Sequence, residues 1–508
     1  MQVNVLEWLM TTADKYPEKE ALVDSNGAMS YREYIQKAIA LARKIVEKRM
    51  GVQQPIIVYM EKSTGVLVSF AAIAASRNFY SPIDVDMPIN RAKKIVEILN
   101  PSIVITTIEL KNKFEQLGYE GDFIIYEDVY PSNDDMNIVK EVLSNIIDTD
   151  LLYVLFTSGS TGIPKGVAIR HKSVIDYIDW VTEEFEISEG DSFGNQAPFY
   201  FDNSILDIYS CMKTGATLYI IDKKLFSNPV LLLDYLKENA ITTIFWVPSA
   251  LITVAKLHAL KNVDLNDTLK RVLFCGEVMP NKQLNYWRHH LPNVLYSNLY
   301  GPTEITDACT YYTIDREFKD DEPLPIGRPM RNTEILVLDK NNQLILPKQT
   351  DKVGELCVKG SCLAVGYFRN PEKTRNSFVQ NPLNVNYEEK MYRTGDFVTY
   401  NQYGELMYIG RKDYQIKHMG HRIELGEIET AVSSLEGFSR CCCIYDDKKS
   451  RIVLVLESRN IITKEEINSQ LEKMIPEYML PGKIFTVSEM PLNENGKINR
   501  KLLKEQLV

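Results

Sequence analysis

The sequence Thr157-Ser158-Gly159-Ser160-Thr161-Gly162-Ile163-Pro164-Lys165-Gly166 follows an apolar run, residues 151–156, that has the composition of a buried strand. These ten residues contain three glycines, four hydroxyl side chains and one lysine. Glycine lets the backbone approach a ligand, amides and hydroxyls donate hydrogen bonds to oxygen, and lysine supplies positive charge. The stretch therefore predicts a strand followed by a polyphosphate-binding loop. An ordinary polar surface turn is the alternative, because Gly and Ser also mark loops without function.

Two common phosphate loops do not fit this stretch, which we call the phosphate loop (residues 157–166). A Walker-type loop needs Gly before its lysine and Ser or Thr after it, but Pro164 precedes Lys165 and Gly166 follows it. The dinucleotide fingerprint needs G-x-G-x-x-G, whereas the glycines here stand at 159, 162 and 166. The sequence thus indicates a third kind of loop.

Length and charge limit the classes of protein that the chain can belong to. A chain of 508 residues is too long for one hydrophobic core, so we expect several domains or subdomains. The net charge, 58 − 68 = −10, disfavours nucleic acid or an anionic membrane as the main partner. The amino terminus lacks a basic leader, and no segment is apolar enough to span a bilayer, so we expect a cytoplasmic protein. We expect its eight cysteines to be reduced.

The pattern of apolar segments predicts an α/β fold. Helical patterns alternate with apolar strands through residues 1–150 and again through 151–330, which favours parallel α/β layers. Short strands with Gly and Asn turns over 334–411 indicate a small β-rich subdomain. A compact α/β pattern then resumes after a charged, glycine-preceded junction. We therefore expect a large N-terminal domain of layered α/β subdomains with a small β-rich subdomain, residues 1–411, and a small C-terminal α+β domain, residues 412–508.

Two further stretches combine groups that suit a nucleotide. Residues 298–304 (NLYGPTE) place an aromatic ring, a turn, a hydroxyl and a carboxylate close together, as a stacked base and a magnesium ion would require. Residues 392–396 (YRTGD) place Asp396 at a predicted turn, where a carboxylate can accept two hydrogen bonds from vicinal hydroxyls. Taken alone, the first could be a turn between strands and the second a solvated acid.

Two more stretches indicate a functional site only when they are considered together with the others. Residues 410–429 carry mixed charges that alone would indicate a solvated face. Residues 495–500 (NGKINR) present Lys497 on a tight turn, where a lysine is usually just solvated.

With these five stretches in this order, the sequence resembles the adenylate-forming superfamily, over nearly its whole length. Within that superfamily it is similar to amino-acid adenylation domains of nonribosomal peptide synthesis and to free-standing D-alanine carrier-protein ligases. The resemblance implies a mobile C-terminal domain and two half-reactions. A carboxylate first attacks the α-phosphorus of ATP, giving an acyl-adenylate and pyrophosphate; a thiol then takes the acyl group.

The resemblance also implies roles for individual residues. Tyr300 would stack on adenine, Asp396 and Arg411 would fix the ribose, and Asp413 would be the hinge of the C-terminal domain. The catalytic residues would be Lys497, which bridges the attacking carboxylate and the α-phosphate, Thr303 at the α-phosphate, Glu304 on Mg²⁺, and Lys165 on the departing phosphates. The full ATP site implied in this way is Thr157, Ser158, Gly159, Ser160, Thr161, Gly162, Lys165, Gly276, Glu277, Asn298, Tyr300, Gly301, Thr303, Asp396, Arg411 and Lys497.

The resemblance further implies an amino-acid substrate. Asp202 matches the aspartate that binds the α-ammonium in amino-acid-activating members, although it could also cap the helix predicted to follow it. Cys275 is similar to the cysteine that narrows the pocket of D-alanine ligases, so D-alanine is the leading substrate. The other pocket positions implied are Asn203, Leu206, Phe245, Leu273, Leu299, Asp307 and Ala308.

Two of these positions depart from an alanine pocket and keep other substrates open. Asn203 and Asp307 are polar where such a pocket is apolar. A buried carboxylate is costly, so Asp307 should meet solvent, pair with a protein cation or recognise a polar or cationic substrate side chain. The alternative is therefore a stand-alone peptide-synthetase-type enzyme for another, polar amino acid.

The predicted acceptor is the phosphopantetheine thiol of a separate carrier protein, because the sequence contains no four-helix carrier module. Two rival readings stay open at this point. An acyl-coenzyme A ligase uses the same chemistry, but Asp202 argues against it. A non-catalytic ATP-binding relative is disfavoured by the presence of Lys165, Glu304, Asp396 and Lys497 together.

Overall fold

Alternating helices and strands build the chain, as the sequence predicts. The computed structural model describes residues 2–159, 163–411, 415–435, 440–458, 463–492 and 498–508. Ser160, Thr161 and Gly162 of the phosphate loop, the hinge candidate Asp413 and Lys497 lie outside the described residues, so their predicted roles are not tested by the geometry.

The α-helices begin where capping or turn residues precede an apolar pattern. Ser30, for example, caps the second helix through a capping box with Glu33, which satisfies two backbone N–H groups at its start. The helices are α1 Leu6–Lys15, α2 Tyr31–Glu47, α3 Thr64–Ala75, α4 Ile89–Leu99, α5 Ile108–Glu115, α6 Asp135–Ser144, α7 His171–Glu184, α8 Ser204–Thr214, α9 Pro229–Glu238, α10 Pro248–Lys256, α11 Asn281–His290, α12 Pro371–Ser377, α13 Leu425–Ser433, α14 Lys464–Leu471 and α15 Arg500–Leu507.

The strands are short, and most are rich in β-branched and aromatic residues. They are β1 Glu20–Asp24, β2 Gly27–Ser30, β3 Pro55–Tyr59, β4 Phe79–Pro82, β5 Ile103–Thr106, β6 Asp122–Ile125, β7 Leu151–Thr157, β8 Lys165–Arg170, β9 Ser192–Asn195, β10 Thr217–Ile220, β11 Thr243–Trp246, β12 Arg271–Phe274, β13 Leu295–Tyr300, β14 Thr310–Thr313, β15 Arg328–Pro329, β16 Thr333–Leu338, β17 Gly354–Gly360, β18 Gly366–Tyr367, β19 Phe378–Gln380, β20 Lys390–Tyr400, β21 Leu406–Arg411, β22 Gln415–His418, β23 His421–Glu424, β24 Cys441–Asp446, β25 Arg451–Glu457 and β26 Lys483–Val487.

Two sheets with parallel centres form the larger part of the fold. The first has nine strands in the order β15-β14-β13-β12-β11-β9-β10-β1-β2, and the second has seven in the order β18-β8-β7-β4-β3-β5-β6. In the first sheet β9, β11, β12 and β13 are parallel to one another, and antiparallel strands lie only at its edges. Such sheets are buried on both faces by the crossover helices, which explains their continuous apolar runs.

A third, antiparallel sheet confirms the β-rich subdomain. Its strands run β16-β17-β20-β19, and β21 pairs with the other part of the long strand β20. The overall α/β class with a large N-terminal and a small C-terminal domain is therefore confirmed.

By its contacts the chain divides into two compact units. The first is formed by Met1–Val85, Asn100–Leu155 and Gly166–Lys412, and the second by Asp86–Leu99, Phe156–Lys165 and Asp413–Val508. The second unit contains a β22–β23 hairpin and a three-stranded sheet in the order β24-β25-β26. The boundary at residues 411 and 412 stays a prediction.

The two faces of the nine-stranded sheet belong to different hydrophobic cores. Ile244, Trp246, Val272 and Phe274 belong to one buried cluster. Their neighbours along β11 and β12 point to the other face, since successive side chains of a strand alternate, and they join the larger cluster. That second face carries the candidate amino-acid pocket.

Candidate functional site

The carboxyl ends of three parallel strands bring several sequence-predicted residues of the first unit together. The chain leaves β9 toward Asp202, β12 toward Cys275 and Glu277, and β13 toward Glu304. Parallel strands end at a common edge of the sheet, and ligands of open α/β sheets bind in the crevice outside that edge. The fold therefore places segments that are distant in sequence at one edge.

One face of this sheet gives the apolar wall of the candidate pocket. Phe245 of β11 lies opposite Leu273 of β12, and Leu273 lies opposite Ser297 of β13. Leu299 and Cys275 follow Ser297 and Leu273 by two residues, so by the alternation of a strand they share that face. Leu206 and Ala308 belong to the same buried cluster as Phe245, Leu273, Cys275 and Leu299.

Asp202 and Asn203 precede helix α8. The N-cap position is Asn203, which makes no capping bond through its side chain, and the Asn203 N–H donates to Asp202 Oδ1 at 3.1 Å. Asp202 thus binds the backbone at the start of α8. The alternative interpretation requires Asp202 to be the N-cap residue, but that position is occupied by Asn203. Its proposed role in ammonium binding stays a prediction.

For Asp307 the structure excludes solvent, one of the three environments that the sequence predicts. Asp307 is 1% exposed, so it does not meet solvent, and the Tyr177 hydroxyl donates to its Oδ2 at 2.7 Å. A neutral hydroxyl of the protein was not among the three partners that sequence reasoning considered. Burial, and next the charge of Asp307, raise the pKa of Tyr177 well above its ordinary value, so the tyrosine stays a hydrogen-bond donor.

The nucleotide end of the site is a connected set of three side chains. Arg411 Nη1 donates to Asp396 Oδ1 at 2.7 Å, and the Tyr300 hydroxyl donates to Asp396 Oδ2. All three are largely buried, with 11% of the Arg411 side chain and 4% of the Asp396 side chain exposed. Burial, and next the charge of Asp396, raise the pKa of Tyr300 well above its ordinary value.

The predicted turn at Asp396 is wrong. Asp396 lies within the eleven-residue strand β20, opposite Arg411 of β21. The left-handed conformation of Gly395, with φ of 74°, is absorbed by irregular pairing on both sides of β20. A β-bulge needs the same glycine as a turn, which is why the sequence does not separate the two.

Glu304 lies in a short 3₁₀ turn, Thr303–Ile305, directly after β13. Its side chain is fully buried, and Oε1 accepts a hydrogen bond from the Tyr367 hydroxyl at 2.7 Å. Within the described ranges no three His, Cys, Asp or Glu side chains are grouped as in a protein-only metal site. A single carboxylate fits Mg²⁺ bound to a nucleotide, because such ions take most ligands from phosphates and water.

Three other residues of the predicted ATP site have structural contacts. Asn298 Nδ2 donates to the Pro325 carbonyl at 2.8 Å, and Glu277 Oε2 accepts from the Ser249 N–H at 2.9 Å. Gly276 has a φ of 101°, which favours glycine. Their contacts with nucleotide stay predictions, as does that of Gly301.

The described residues of the phosphate loop up to Lys165 belong to the second unit. Gly159 passes so close to the Ile163 carbonyl that a Cβ would lie 2.0 Å from its oxygen. The Thr157 hydroxyl is buried and has no hydrogen-bond partner in the part of the chain that the structure describes. A closely folded loop with an unsatisfied hydroxyl at its entrance fits a phosphate ligand.

Within the second unit the phosphate loop also contacts the β23 strand. The Ser158 hydroxyl donates to the Arg422 carbonyl at 2.6 Å and accepts from the Glu424 N–H at 3.2 Å. Lys165 Nζ lies 3.5 Å from Glu424 Oε1. Lys165 is thus a buried cation with an acidic partner.

Sequence reasoning missed the three tyrosines that contact or surround these carboxylates. Tyr177, Tyr367 and Tyr153 lie on α7, β18 and β7, and each is at most 6% exposed. A buried tyrosine in an apolar pattern indicates hydrophobic core, so no local signal marks these residues.

Comparison with known proteins identifies the chain. Residues 9–368 match the AMP-binding enzyme family, and residues 427–497 match the AMP-binding enzyme C-terminal domain. The chain belongs to the AMP-binding enzyme family. It is an enzyme, an ATP-dependent ligase that forms an adenylate.

Two relatives and one solved structure illustrate the similarity. The chain is 32% identical to zwittermicin A synthase ZmaJ of Bacillus cereus over 96% of its own length and 92% of the relative. It is 31% identical to the D-alanine--D-alanyl carrier protein ligase of Listeria monocytogenes over the full length of both chains. The fold is also that of the adenylation domain AlmE of Vibrio cholerae, solved with glycyl-adenosine-5'-phosphate, with a TM-score of 0.86, 21% identity and coverage of 100% and 98% of the two chains.

Two whole-chain features complete the description. The eight cysteines are buried, and the structure pairs none of them in a disulfide. Of the helices in the described ranges, none is long and apolar enough to cross a bilayer.

Proposed function

We propose that this AMP-binding enzyme activates an amino acid and transfers it to the phosphopantetheine thiol of a separate carrier protein. In the first step the amino-acid carboxylate attacks the α-phosphorus of ATP, the bond to the β-phosphate breaks, and pyrophosphate leaves. In the second step the carrier thiol attacks the acyl carbon, and AMP leaves. The carrier ligase from Listeria, which the chain matches over its whole length, supports the carrier as acceptor.

The observation that carries an amino-acid substrate is Asp202, which precedes α8 and whose charge, after burial, raises the pKa of both Tyr177 and Tyr153. A carboxylate near these buried side chains suits an α-ammonium, because a charge-assisted hydrogen bond is worth most where water is excluded. Fatty and aryl acids offer no cation to this position, so an acyl-coenzyme A ligase is the weaker alternative.

D-Alanine is the leading substrate within this proposal. Cys275, Phe245, Leu273 and Leu299 are buried apolar side chains of one cluster, and a pocket lined by them would suit a small side chain. The second candidate, a polar amino acid, is favoured by the burial of Asn203 and Asp307.

The nucleotide roles follow the same proposal. Tyr300 would stack on adenine, the Asp396–Arg411 pair would hold the ribose, and Thr303 would contact the α-phosphate. The phosphate loop with Lys165 would hold the β- and γ-phosphates. Mg²⁺, which neutralises phosphate charge, would be held by Glu304, whose carboxylate Tyr367 orients.

We place the main charge of the adenylation step on Lys497, in a C-terminal domain of residues 412–508 that turns about Asp413. Charge grows on phosphoryl oxygens during in-line attack, and an ammonium shielded from water stabilises it strongly. Because ATP is a cytoplasmic metabolite, we also propose a cytoplasmic enzyme.

Amino-acid-dependent exchange of pyrophosphate into ATP tests the function. We expect exchange with one or a few members of a panel of L- and D-amino acids, and a loss of at least 100-fold in kcat for Lys497→Ala. Lys501→Ala, a change at an exposed lysine of α15, is the control and should exchange at the wild-type rate. Exchange with plain carboxylic acids alone, or full activity of Lys497→Ala, would contradict the proposal.

A further inference from the structure

The candidate amino-acid pocket contains more polar groups than one α-ammonium needs. Asp202 supplies a carboxylate for that group, yet Asp307 is a second carboxylate, buried at 1% exposure, next to pocket residue Ala308. The inference drawn here rests on the proposed function and develops its second candidate, a polar amino acid, in place of D-alanine.

The backbone holds Asp307 in a demanding conformation. Thr306 and Asp307 have φ values of 61° and 71°, so two successive non-glycine residues are left-handed. The Thr306 hydroxyl donates to the Cys362 carbonyl at 2.9 Å, and the Tyr177 hydroxyl donates to Asp307 Oδ2 at 2.7 Å. Such strain persists where surrounding contacts fix it, and it clusters at ligand sites.

Two polar atoms close to the candidate pocket have no hydrogen-bond partner in the described residues. They are the Tyr153 hydroxyl, on a side chain with 0% exposure, and Asn203 Nδ2, on a residue with 9% exposure. Buried polar atoms are nearly always hydrogen-bonded, so each such atom requires an explanation. A donor group of a ligand would satisfy the Tyr153 oxygen, and an acceptor group would satisfy the Asn203 amide.

The charges of Asp202 and Asp307 act on the same two tyrosines, which indicates that these four side chains lie close together. After burial, the charges of both Asp202 and Asp307 raise the pKa of Tyr153, and both also raise that of Tyr177. Tyr177 further senses Cys275, which lies on the pocket face. The two carboxylates therefore lie close to the same two tyrosines.

We propose that Asp307, Tyr177 and Tyr153 form a second polar subsite that selects an α-amino acid with a short side chain ending in a second ammonium, such as 2,3-diaminopropionate. Asp307 Oδ and the Tyr153 hydroxyl oxygen accept hydrogen bonds from this ammonium, and Tyr177 is a positioning residue for Asp307. An ammonium is a pure hydrogen-bond donor with a positive charge, which suits the buried carboxylate of Asp307, whereas the side chains of alanine and serine carry no charge. The apolar face with Phe245 and Leu299 limits the length of the side chain.

Pyrophosphate exchange with matched substrates tests this subsite. We expect the wild-type kcat/KM for one enantiomer of 2,3-diaminopropionate to exceed that for either alanine or serine at least tenfold. Asp307→Asn should lower the ratio of diaminopropionate to alanine kcat/KM at least tenfold, and Tyr177→Phe about threefold. A hydrophobic pocket alone rejects an added polar group weakly, whereas a site built to bind that group discriminates strongly.

A second tyrosine–aspartate pair provides the matched control. The Tyr312 hydroxyl donates to Asp315 Oδ1 at 3.0 Å, and Asp315 is exposed. Asp315→Asn removes the charge from the same kind of acceptor outside the pocket and should leave the ratio unchanged. If Asp307→Asn does not fold, Tyr177→Phe carries the test, since it removes a single hydroxyl.

Failure of this inference differs from failure of the proposed function. Exchange with alanine or serine that equals or exceeds exchange with diaminopropionate, with a ratio unaffected by Asp307→Asn or Tyr177→Phe, overturns the subsite but keeps amino-acid activation. Folded wild-type enzyme that binds ATP but exchanges with no amino acid overturns the proposed function itself.

Discussion

At the nucleotide end of the candidate site, Asp396 accepts hydrogen bonds from both Tyr300 and Arg411. At the side-chain end of the amino-acid pocket, the Tyr153 hydroxyl is buried without a partner in the described part of the chain. ATP is the same ligand throughout this family, so its subsite can be pre-organised by protein contacts. The amino acid differs between members, and polar atoms kept for it are satisfied only by the correct side chain. Comparison of the two ends indicates that substrate specificity resides where the protein leaves its polar groups unsatisfied.

We expect the strongest loss of activity from a change at the pre-organised nucleotide end. Asp396→Ala removes the carboxylate that we propose binds the ribose hydroxyls, and two hydrogen bonds to a charged acceptor contribute about 3 kcal/mol. We expect kcat/KM for ATP to fall roughly 100-fold, while KM for the amino acid stays within about threefold. Pyrophosphate exchange at varied ATP and varied amino acid separates the two constants.

The control for this change lies on the same β-rich sheet. Lys359→Met breaks an ion pair with Glu389 Oε1 at 2.9 Å, away from the nucleotide residues, and should leave KM for ATP unchanged. A rise in amino-acid KM with unchanged ATP KM in Asp396→Ala would show that the two ends are assigned the wrong way round.

A buried group outside both ends measures what burial costs in this protein. His171 at the start of α7 accepts a hydrogen bond from the Val5 N–H at 3.4 Å, and burial lowers its pKa to about 4. Since the folded pKa lies below the ordinary value, the unfolded chain takes up the proton first. The stabilisation is complete above pH 6.5 and is lost as the pH falls through about 4. The wild type should lose ~2 kcal/mol more between pH 7 and 5 than His171→Gln, by urea unfolding at both values.

An equal pH dependence in the wild type and His171→Gln would mean that this burial costs less than the structure indicates. The polar atoms of the pocket would then need no ligand to explain them.

Much of the fold could be predicted from the sequence because its signals are local. Apolar runs such as residues 55–60 and 243–247 became β3 and β11 within one residue at each end. The phosphate loop was indicated by composition, and the pocket positions were implied by the family resemblance. Phe245, Leu273 and Leu299 lie on one face of the nine-stranded sheet, and their role as a pocket wall stays a prediction.

The rest depended on contacts between distant segments. Tyr177 and Asp307 are 130 residues apart, and nothing near Tyr177 distinguishes a core tyrosine from one that holds a carboxylate. The sequence predicts a turn at Asp396 because a β-bulge, such as that in β20, needs the same left-handed glycine as a turn. Both errors arise where tertiary pairing, and not local pattern, decides the environment of a side chain.

We expect the weakest effects from removal of one tyrosine hydroxyl at each end of the candidate site. Tyr300→Phe and Tyr153→Phe each remove a buried hydroxyl, from side chains that are 6% and 0% exposed. Tyr300→Phe loses a hydrogen bond to a charged acceptor and should lower the free energy of unfolding without ligands by about 1.5 kcal/mol. Tyr153→Phe removes an unsatisfied hydroxyl, so its free energy of unfolding should stay within ~0.5 kcal/mol of the wild type or rise. With the amino acid present, Tyr153→Phe should instead be less stabilised than the wild type, because the substrate loses a partner. Urea unfolding of the three proteins with and without substrate measures both effects. Equal losses of unfolding free energy for the two variants without ligand would contradict the distinction between a pre-organised nucleotide end and an amino-acid end with unsatisfied polar groups.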